Sequence, residues 1–190
     1  TAHIGNFTVL PTGNVAVNAA NTTVLVALGN GIAVSNGGFS LGAVVVRADA
    51  DTKTSATLGN SVKIGTAGNY AKGLTVAATG TDYSTARSTA GAGGLYSGSG
   101  ATGITDQTST VTAGIGDSAT LYITYLTLTG AHTDYYKSIV DSTQAAVVAA
   151  SGATSQNDAD STVNVAVGQN DVIFVSAPTV LLNGVGTCDI

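Results

Sequence analysis

The chain is short of charge, aromatic side chains, proline and cysteine, and it contains no methionine or tryptophan. Only 9% of its 190 residues are charged, whereas an ordinary globular domain has roughly 25%. With so few charges, the surface must be built from Thr, Ser, Asn, Gly and Ala. Disorder is not expected, because 44% of the residues are hydrophobic and disordered chains combine low hydrophobicity with high charge.

The scarcity of basic residues excludes whole classes of function. The six Lys and Arg residues form no cluster and the net charge is −5, so the sequence lacks the basic footprint of a nucleic-acid-binding protein. No apolar run approaches the roughly 18 residues that predict a membrane-spanning helix. Since there is no initiator Met and no signal peptide, we expect a processed product or a piece of a longer protein.

The chain has a single cysteine, Cys188, close to its carboxyl end. A lone cysteine cannot form an intrachain disulfide. The simpler interpretation is a thiol without a role. The alternative is a crosslink to a neighbouring subunit, which an odd cysteine in an exported protein permits.

A small hydrophobic–glycine–polar signature recurs four times along the chain. Its glycines are Gly5, Gly59, Gly116 and Gly168, which are 54, 57 and 52 residues apart. A period of this size is typical of solenoids and other repeat arrays. We expect these glycines to lie at corners, where a Cβ atom would clash or where φ is positive.

The second half of the chain repeats without a gap. The shift that carries Gly116 onto Gly168 also carries Thr81-Asp82-Tyr83 onto Thr133-Asp134-Tyr135. The shift that carries Gly59 onto Gly116 matches more loosely and places Asp49 on Asp106. Because the intervals differ slightly, we expect loops to absorb insertions while the framework is kept. The repeat units are approximately residues 1–54, 55–111, 112–163 and, incompletely, 164–190.

Short β-branched segments bounded by Gly, Asn, Asp or Ser predict strands throughout the chain. Residues 138–150 have some helical character, but their repeat partners at 86–98 would make a poor helix, so both are predicted to be extended. We expect an all-β parallel β-solenoid with five or six short strands per unit. At roughly 18–22 residues per coil, a unit is two and a half to three coils. The chain then has about nine or ten coils and is about 45 Å long. An antiparallel sandwich is the competing fold, but it does not explain the repeat.

Two blocks of sequence resemble a known family. Residues 92–101 (AGGLYSGSGA) and 108–117 (TSTVTAGIGD) resemble the repeats of filamentous-haemagglutinin and leukotoxin-type adhesins of Gram-negative bacteria. The resemblance is best over residues 55–183. It implies a right-handed parallel β-helix, exported to the bacterial cell surface or beyond it, that serves as a rigid stalk or fibre.

Acidic residues recur at equivalent positions of the units: Asp49 and Asp51, Asp106, and Asp158 and Asp160. If two to three coils separate them, the distance is about 10–14 Å, which is too long for a catalytic pair of carboxylates. The preferred interpretation is a polar turn. The alternative is a Ca²⁺ site formed by Asp49 and Asp51, or by Asp158 and Asp160, together with turn carbonyls.

The histidines and tyrosines give weaker signals. His3 and His132 lack the spacing of metal ligands, so no special role is expected for either. Tyr83 and Tyr135 are related by the gapless shift and are predicted to share one face. They would cover the core at a corner or, as the alternative, form a platform for a sugar.

Asn6 and Asn21 begin sequons for N-glycosylation, although two matches are close to chance in a chain rich in Asn and Thr. They would matter only in a host that glycosylates its exported proteins.

The expected function is structural and not enzymatic. The sequence favours a β-solenoid segment or subunit of an exported, fibre-forming, adhesin-like protein, without a cofactor unless Ca²⁺ binds. Its expected partners are copies of itself, flanking repeats of a longer chain, or a host-cell or matrix glycan or protein. The alternative is a carbohydrate-binding or carbohydrate-active module on the same fold.

Overall fold

A computed structural model describes residues 1–6, 8–9, 13–177 and 179–189, with the backbone alone for residues 8, 9, 188 and 189. Within these ranges all regular secondary structure is β-strand. The strands are β1 (Ala2–Ile4), β2 (Thr8–Val9), β3 (Asn14–Val34), β4 (Phe39–Leu58), β5 (Lys63–Ile64), β6 (Gly73–Ile115), β7 (Thr120–Ile123), β8 (Leu126–Val167), β9 (Val172–Val175) and β10 (Val180–Asp189). No helix in the described ranges is long and apolar enough to cross a membrane.

The ten strands form two parallel sheets. The main sheet has the order β1-β4-β6-β8-β10, and β3 also pairs with β6. The second sheet consists of the short strands in the order β2-β5-β7-β9. Every pairing between these strands is parallel. The prediction of an all-β fold with parallel strands is therefore confirmed, and the antiparallel sandwich is wrong.

The strand register shows that repeat partners are direct neighbours in the sheet. Strand β6 pairs with β8 in one constant register, from Leu74 with Leu126 to Ile115 with Val167. This register is the gapless shift of the sequence. Strand β4 pairs with β6 in the register of the looser shift, with Asp49 opposite Asp106. One repeat unit is thus one coil, and the predicted two and a half to three coils per unit are wrong.

The number of coils follows from the short strands. The second sheet contains four of them, so the chain has about four levels at ~4.8 Å each. The predicted nine or ten coils and the predicted length of about 45 Å are therefore wrong too.

Each long strand folds back so that its two halves face each other. Within β6, Gln107 Nε2 donates to Ser84 Oγ at 2.6 Å, and Ser109 Oγ donates to Asp82 Oδ2 at 2.6 Å. In the first coil the bend is a short break between β3 and β4, where Gly37 has a φ of 90°. We call the halves before the bend the first arms (14–34, 73–93 and 126–145) and those after it the return arms (39–58, 96–115 and 148–167).

Burial alternates along the arms, as it must when every second side chain of a strand points to one face. In β6 the inward positions are buried on both arms, and the outward positions are partly or fully exposed. The largest apolar side chains lie at one end of the arms, which we call the base, where the short strands close the coil. Fully buried residues there include Leu58, Ile64, Leu74, Leu121, Ile123, Leu126 and Leu128.

Three of the four signature glycines are required by close approach between coils. Gly59, Gly116 and Gly168 directly follow β4, β6 and β8. A Cβ atom on Gly168 would lie 2.6 Å from the carbonyl carbon of Gly116, and one on Gly116 would lie 2.9 Å from that of Gly59. Gly5 follows β1 in the same way, but its Cβ position has nothing within 4 Å. All four glycines therefore lie directly after a strand of the main sheet, but the expected clash of a Cβ atom is found only at Gly59, Gly116 and Gly168.

Positive φ angles occur two residues after the signature glycines, at Ser61, Ser118 and Asn170. Of the two explanations expected for the glycines, only close approach therefore applies. The polar residue of the signature also holds the corners together: Asn60 Oδ1 accepts the backbone N–H of Asp117 at 3.0 Å, and Asp117 Oδ1 accepts that of Gln169 at 2.8 Å.

Length differences between coils are confined to connections. Residues 65–72 separate β5 from β6, whereas only residues 124 and 125 separate β7 from β8. Within the loop 65–72, Thr66 and Asn69 form a tight antiparallel bridge and Gly65 has a φ of 71°. This confirms that loops absorb the insertions.

Candidate functional site

A cluster of three ionisable side chains lies between the arms, about midway along them. Asp82 belongs to the first arm of β6, and Asp134 is its ladder partner on the first arm of β8. His132 precedes Asp134 by two residues, so it faces the same side of the strand. All three are buried, with exposed fractions of 0% for Asp82 and 1% for His132 and Asp134. We call this group the Asp-His-Asp cluster.

The imidazole of His132 joins the two carboxylates. Its Nε2 atom lies 2.6 Å from Asp134 Oδ1 and 3.5 Å from Asp82 Oδ2. One ring nitrogen of His132, one oxygen of Asp82 and one oxygen of Asp134 all lie within 4.8 Å of one another. The cluster therefore connects two neighbouring coils through a single ring nitrogen.

A glycine makes room for this ring position. Gly80 is the ladder partner of His132 on β6. A Cβ atom on Gly80 would lie only 2.6 Å from His132 Nδ1 and 3.1 Å from a methyl carbon of Val111. Because Gly80 has no side chain, the ring can lean across it toward Asp82 in the preceding coil.

Hydroxyl groups from the return arms hold Asp82 in place. Ser109 Oγ and Thr52 Oγ1 each donate to Asp82 Oδ2 at 2.6 Å. The second oxygen, Asp82 Oδ1, and the second ring nitrogen, His132 Nδ1, are buried without a hydrogen-bond partner among the described residues. Buried polar atoms normally have a partner, so the cluster retains binding capacity that the protein itself does not use.

Burial has the largest effect on the pKa of Asp134. Burial raises the pKa of Asp134 above its ordinary value of 3.8. The hydrogen bond and the charge of His132 oppose this rise, and the nearby Asp82 carboxylate adds to it. Two carboxylates and one imidazole leave an excess of negative charge inside the protein, which is costly unless a proton or a cation compensates it.

The cluster does not have the geometry of a nucleophilic site. Ser109 donates its hydroxyl hydrogen to Asp82 and not to His132, whereas an activated serine donates to its general base. The buried position also leaves no room for a substrate at the ring nitrogen. What the arrangement can hold is a proton or a metal ion.

A recess lies beside the cluster, between the two arms of β8. It has a volume of about 410 Å³ and is lined by Asp134 and Tyr136 on the first arm, by Asn157 and Ser161 on the return arm, and by Thr187 of β10. The recess is the space between the arms in the last long coil, and it gives solvent a route to Asp134.

The acidic positions expected at turns lie in the middle of strands instead. Asp49 pairs with Asp106 and Asp106 pairs with Asp158 in adjacent strands, so the expected separation of two to three coils is wrong. Arg47 forms ion pairs with both Asp49, at 3.3 Å, and Asp106. Its guanidinium thus takes the place between these carboxylates that a cation would occupy.

The outer members of the acidic set, Asp51 and Asp160, are exposed and flank Thr108 in the ladder. The polar turn expected at Asp51 and Asp160 is wrong, because Asp51 lies within strand β4 and Asp160 lies within strand β8. Calcium binding by Asp49 and Asp51, or by Asp158 and Asp160, stays a prediction.

The shared face of Tyr83 and Tyr135 is confirmed. Their rings stack with centroids 4.7 Å apart and an interplanar angle of 5°. They lie outside the arms, 40% and 37% exposed, so the expected role of covering the core at a corner is wrong. Each ring covers one face of the other, and the sugar platform stays a prediction. Phe39 stacks on Tyr96 in the same manner, which is typical of side-chain ladders between coils.

The remaining predicted positions are scattered over the structure. Asn6 is exposed at the first corner, whereas Asn21 is half-buried and its Nδ2 donates to Thr23 Oγ1 at 3.2 Å. Glycosylation stays a prediction at both. His3 is exposed and hydrogen-bonded to Thr57. The backbone of Cys188 pairs with Asp134, but its side chain lies outside the described residues and the crosslink stays a prediction.

The Asp-His-Asp cluster was not predicted, although the sequence contains a signal for it. The gapless shift already aligned Asp82 with Asp134. Treating the shift as a single strand spacing would have placed the two carboxylates about 4.8 Å apart. His132 would then have joined them through the two-residue period of a strand.

Comparison of the chain with family models, with curated proteins and with solved structures finds no match.

Proposed function

We propose that this chain is a structural β-solenoid segment of an exported, fibre-forming, adhesin-like bacterial surface protein. Its coils would continue into further coils, supplied by copies of the chain or by flanking repeats. The right-handed winding and the cell-surface location belong to this proposal and rest on the resemblance of residues 92–117 to filamentous adhesin repeats. No catalytic role is included, because the described residues bring no activated nucleophile together with an accessible site.

The observation that carries the proposal is the pair of uncovered strand edges. Strand β10 covers β8 only from Leu126 to Tyr135, so residues 136–167 lack a strand on that side within the described ranges. At the other end, the one strand that pairs with β3 among the described residues is β6. Long uncovered edges are templates for pairing with another chain, and proteins that remain monomeric protect them.

The exposed part of β8 has the character of an unfinished interior. Ser151 and Ala153 are exposed, yet their ladder partners in the preceding coil, Ser99 and Ala101, are buried. A further coil placed on β8 would bury these positions in the same way. The composition favours stacking of a further coil, because only 9% of residues are charged and few charges would have to be desolvated.

A lysine placed between the arms of the end coil tests the proposal. In Ala153→Lys the new charge is tolerated in an isolated chain but would be buried by an added coil. Thr154→Lys is the matched control, because Thr154 is the ladder partner of Thr102 and lies on the outer side of the arm. Sedimentation velocity and electron microscopy should show end-to-end assemblies for the parent chain and for Thr154→Lys, and only single particles for Ala153→Lys.

A parent chain that stays monomeric over a range of concentration and salt would contradict self-stacking. Equal assembly of the two lysine variants would show that the β8 edge is not the contact surface. Circular dichroism of both variants verifies that each retains the β-sheet signal of the parent chain.

A further inference from the structure

We infer that Asp82, His132 and Asp134 form a site for one divalent transition-metal ion of the zinc class. This site is independent of the proposed stacking, because it lies inside the arms of two coils of one chain. The inference rests on donor chemistry, on donor geometry, on an oxygen without a partner and on access.

The donor chemistry selects the class of metal. One imidazole and two carboxylates are ligands that zinc and its neighbours accept, whereas calcium and magnesium take oxygen ligands. Two carboxylates and a neutral imidazole carry a formal charge of −2, which a divalent ion cancels. Inside the protein, a divalent ion would cancel this negative charge more completely than a single proton on His132 would.

The donor geometry is close to what the ion requires. Donor atoms around a tetrahedral zinc ion, each about 2.0–2.1 Å from the metal, are about 3.3–3.5 Å apart. His132 Nε2 offers one ligand atom, and it and one oxygen of each carboxylate lie within 4.8 Å of one another, which is close to this spacing. Its 2.6 Å contact with Asp134 Oδ1 is a hydrogen bond, so the metal would replace the shared proton and this pair would separate slightly.

The supporting residues also fit a metal site. Because the hydroxyls of Ser109 and Thr52 donate to Asp82 Oδ2, Asp82 Oδ1 is left buried without a donor and can accept the ion. Hydrogen bonds that orient a ligating carboxylate in this way are typical of metal sites. The recess beside Asp134 supplies a route for the ion and space for a water molecule as a further ligand.

Isothermal titration of the EDTA-treated full chain with ZnCl₂ tests the site. One ion should bind per chain, and CaCl₂ should not displace it. His132→Gln should weaken binding by at least about tenfold, whereas His3→Gln, which alters the only other histidine, should leave it unchanged. Ser109→Ala keeps all three ligands and should weaken binding by a smaller factor.

X-ray absorption spectroscopy of the zinc-loaded parent chain needs no variant and covers the case in which His132→Gln fails to fold. It should show one imidazole nitrogen and oxygen atoms around the metal, without sulfur. Zinc bound through sulfur, with binding lost in Cys188→Ser and kept in His132→Gln, would overturn the inference. The absence of stoichiometric zinc binding to the parent chain would overturn it as well.

Discussion

The interior of the protein is apolar at the base, whereas midway along the arms it contains ionisable side chains. At the base, residues such as Leu74, Leu121 and Ile123 fill the interior and are completely buried. Midway along the arms, the same inward positions carry Asp82, His132 and Asp134, which are just as deeply buried. Both regions are built from parallel ladders, so strand pairing alone does not decide which side chains occupy the interior.

The two regions contribute to the protein in different ways. Burying a leucine stabilises the fold by roughly 1.5–3 kcal/mol without demanding a particular partner. Burying two carboxylates is costly and requires defined partners. The base therefore supplies stability, whereas the middle of the arms fixes the geometry between coils and offers ligands.

The largest effect is expected at the base. Leu121→Ala removes a completely buried side chain from the cluster that closes the coil. The variant should lose about 2–5 kcal/mol of unfolding free energy, since the lost burial and the remaining cavity both count. Leu95→Ala, at an exposed position of the bend, should change it by less than about 0.5 kcal/mol. Urea unfolding followed by circular dichroism compares them, and equal losses would refute the assignment of stability to the base.

A smaller effect is expected when the room for His132 is removed. In Gly80→Ala the new methyl group would overlap the imidazole ring, so the ring must move away from Asp82. The expected loss is about 1–3 kcal/mol of unfolding free energy, as for other overpacked interiors. Gly100→Ala is the matched control on the same strand, because nothing lies within 4 Å of its Cβ position. It should be neutral or stabilising by up to about 1 kcal/mol, and a reversed order of the two variants would contradict the packing described.

The smallest effect is a pH dependence of the metal-free protein. Because the folded-state pKa of Asp134 is raised above 3.8, its contribution to stability is fully present below that value and is lost as the pH rises through the raised pKa. The slope is at most about 1.4 kcal/mol per pH unit. Asp82 and His132 are the titratable groups in contact with Asp134, and both remain in Asp134→Asn. In EDTA, the unfolding free energy of the parent chain relative to Asp134→Asn should fall as the pH rises above about 4, and a constant difference would contradict the raised pKa.

The fold was largely predictable because repetition is visible in the residues. The signature glycines at 59, 116 and 168 marked real corners, and the gapless shift matched a real strand register. The size of the coil was not predictable from local strand signals. Strand β6 runs from Gly73 to Ile115 through a glycine-rich stretch, because parallel neighbours on both sides hold the backbone extended where local propensity does not.

The candidate site was not predicted because each repeat unit was expected to contain several coils. With the coil assumed to be short, Asp82 and Asp134 were two to three coils apart, and His132 had no partner. Their proximity follows from the register of two neighbouring first arms, whereas the hydroxyls that donate to Asp82 depend on the bend that brings the return arm over the first arm. No single residue pattern in the sequence predicts that bend. The hydroxyl of Ser109, far along the chain from Asp82, is a partner that only the folded arms reveal.

The uninterrupted length of the arms also restricts how such a chain can change in length. Because side chains alternate between the two faces, one residue added within an arm would turn every later inward residue to the outside. Between the first and second coils, the bend contains four residues (35–38) in one and two (94–95) in the other, while the arms on either side keep a constant register. Together with the loop 65–72, the bend is a place where residues are added at little cost. Gene segments that encode a whole arm are thus expected to be inherited as blocks of fixed length, with variation at the bends and corners.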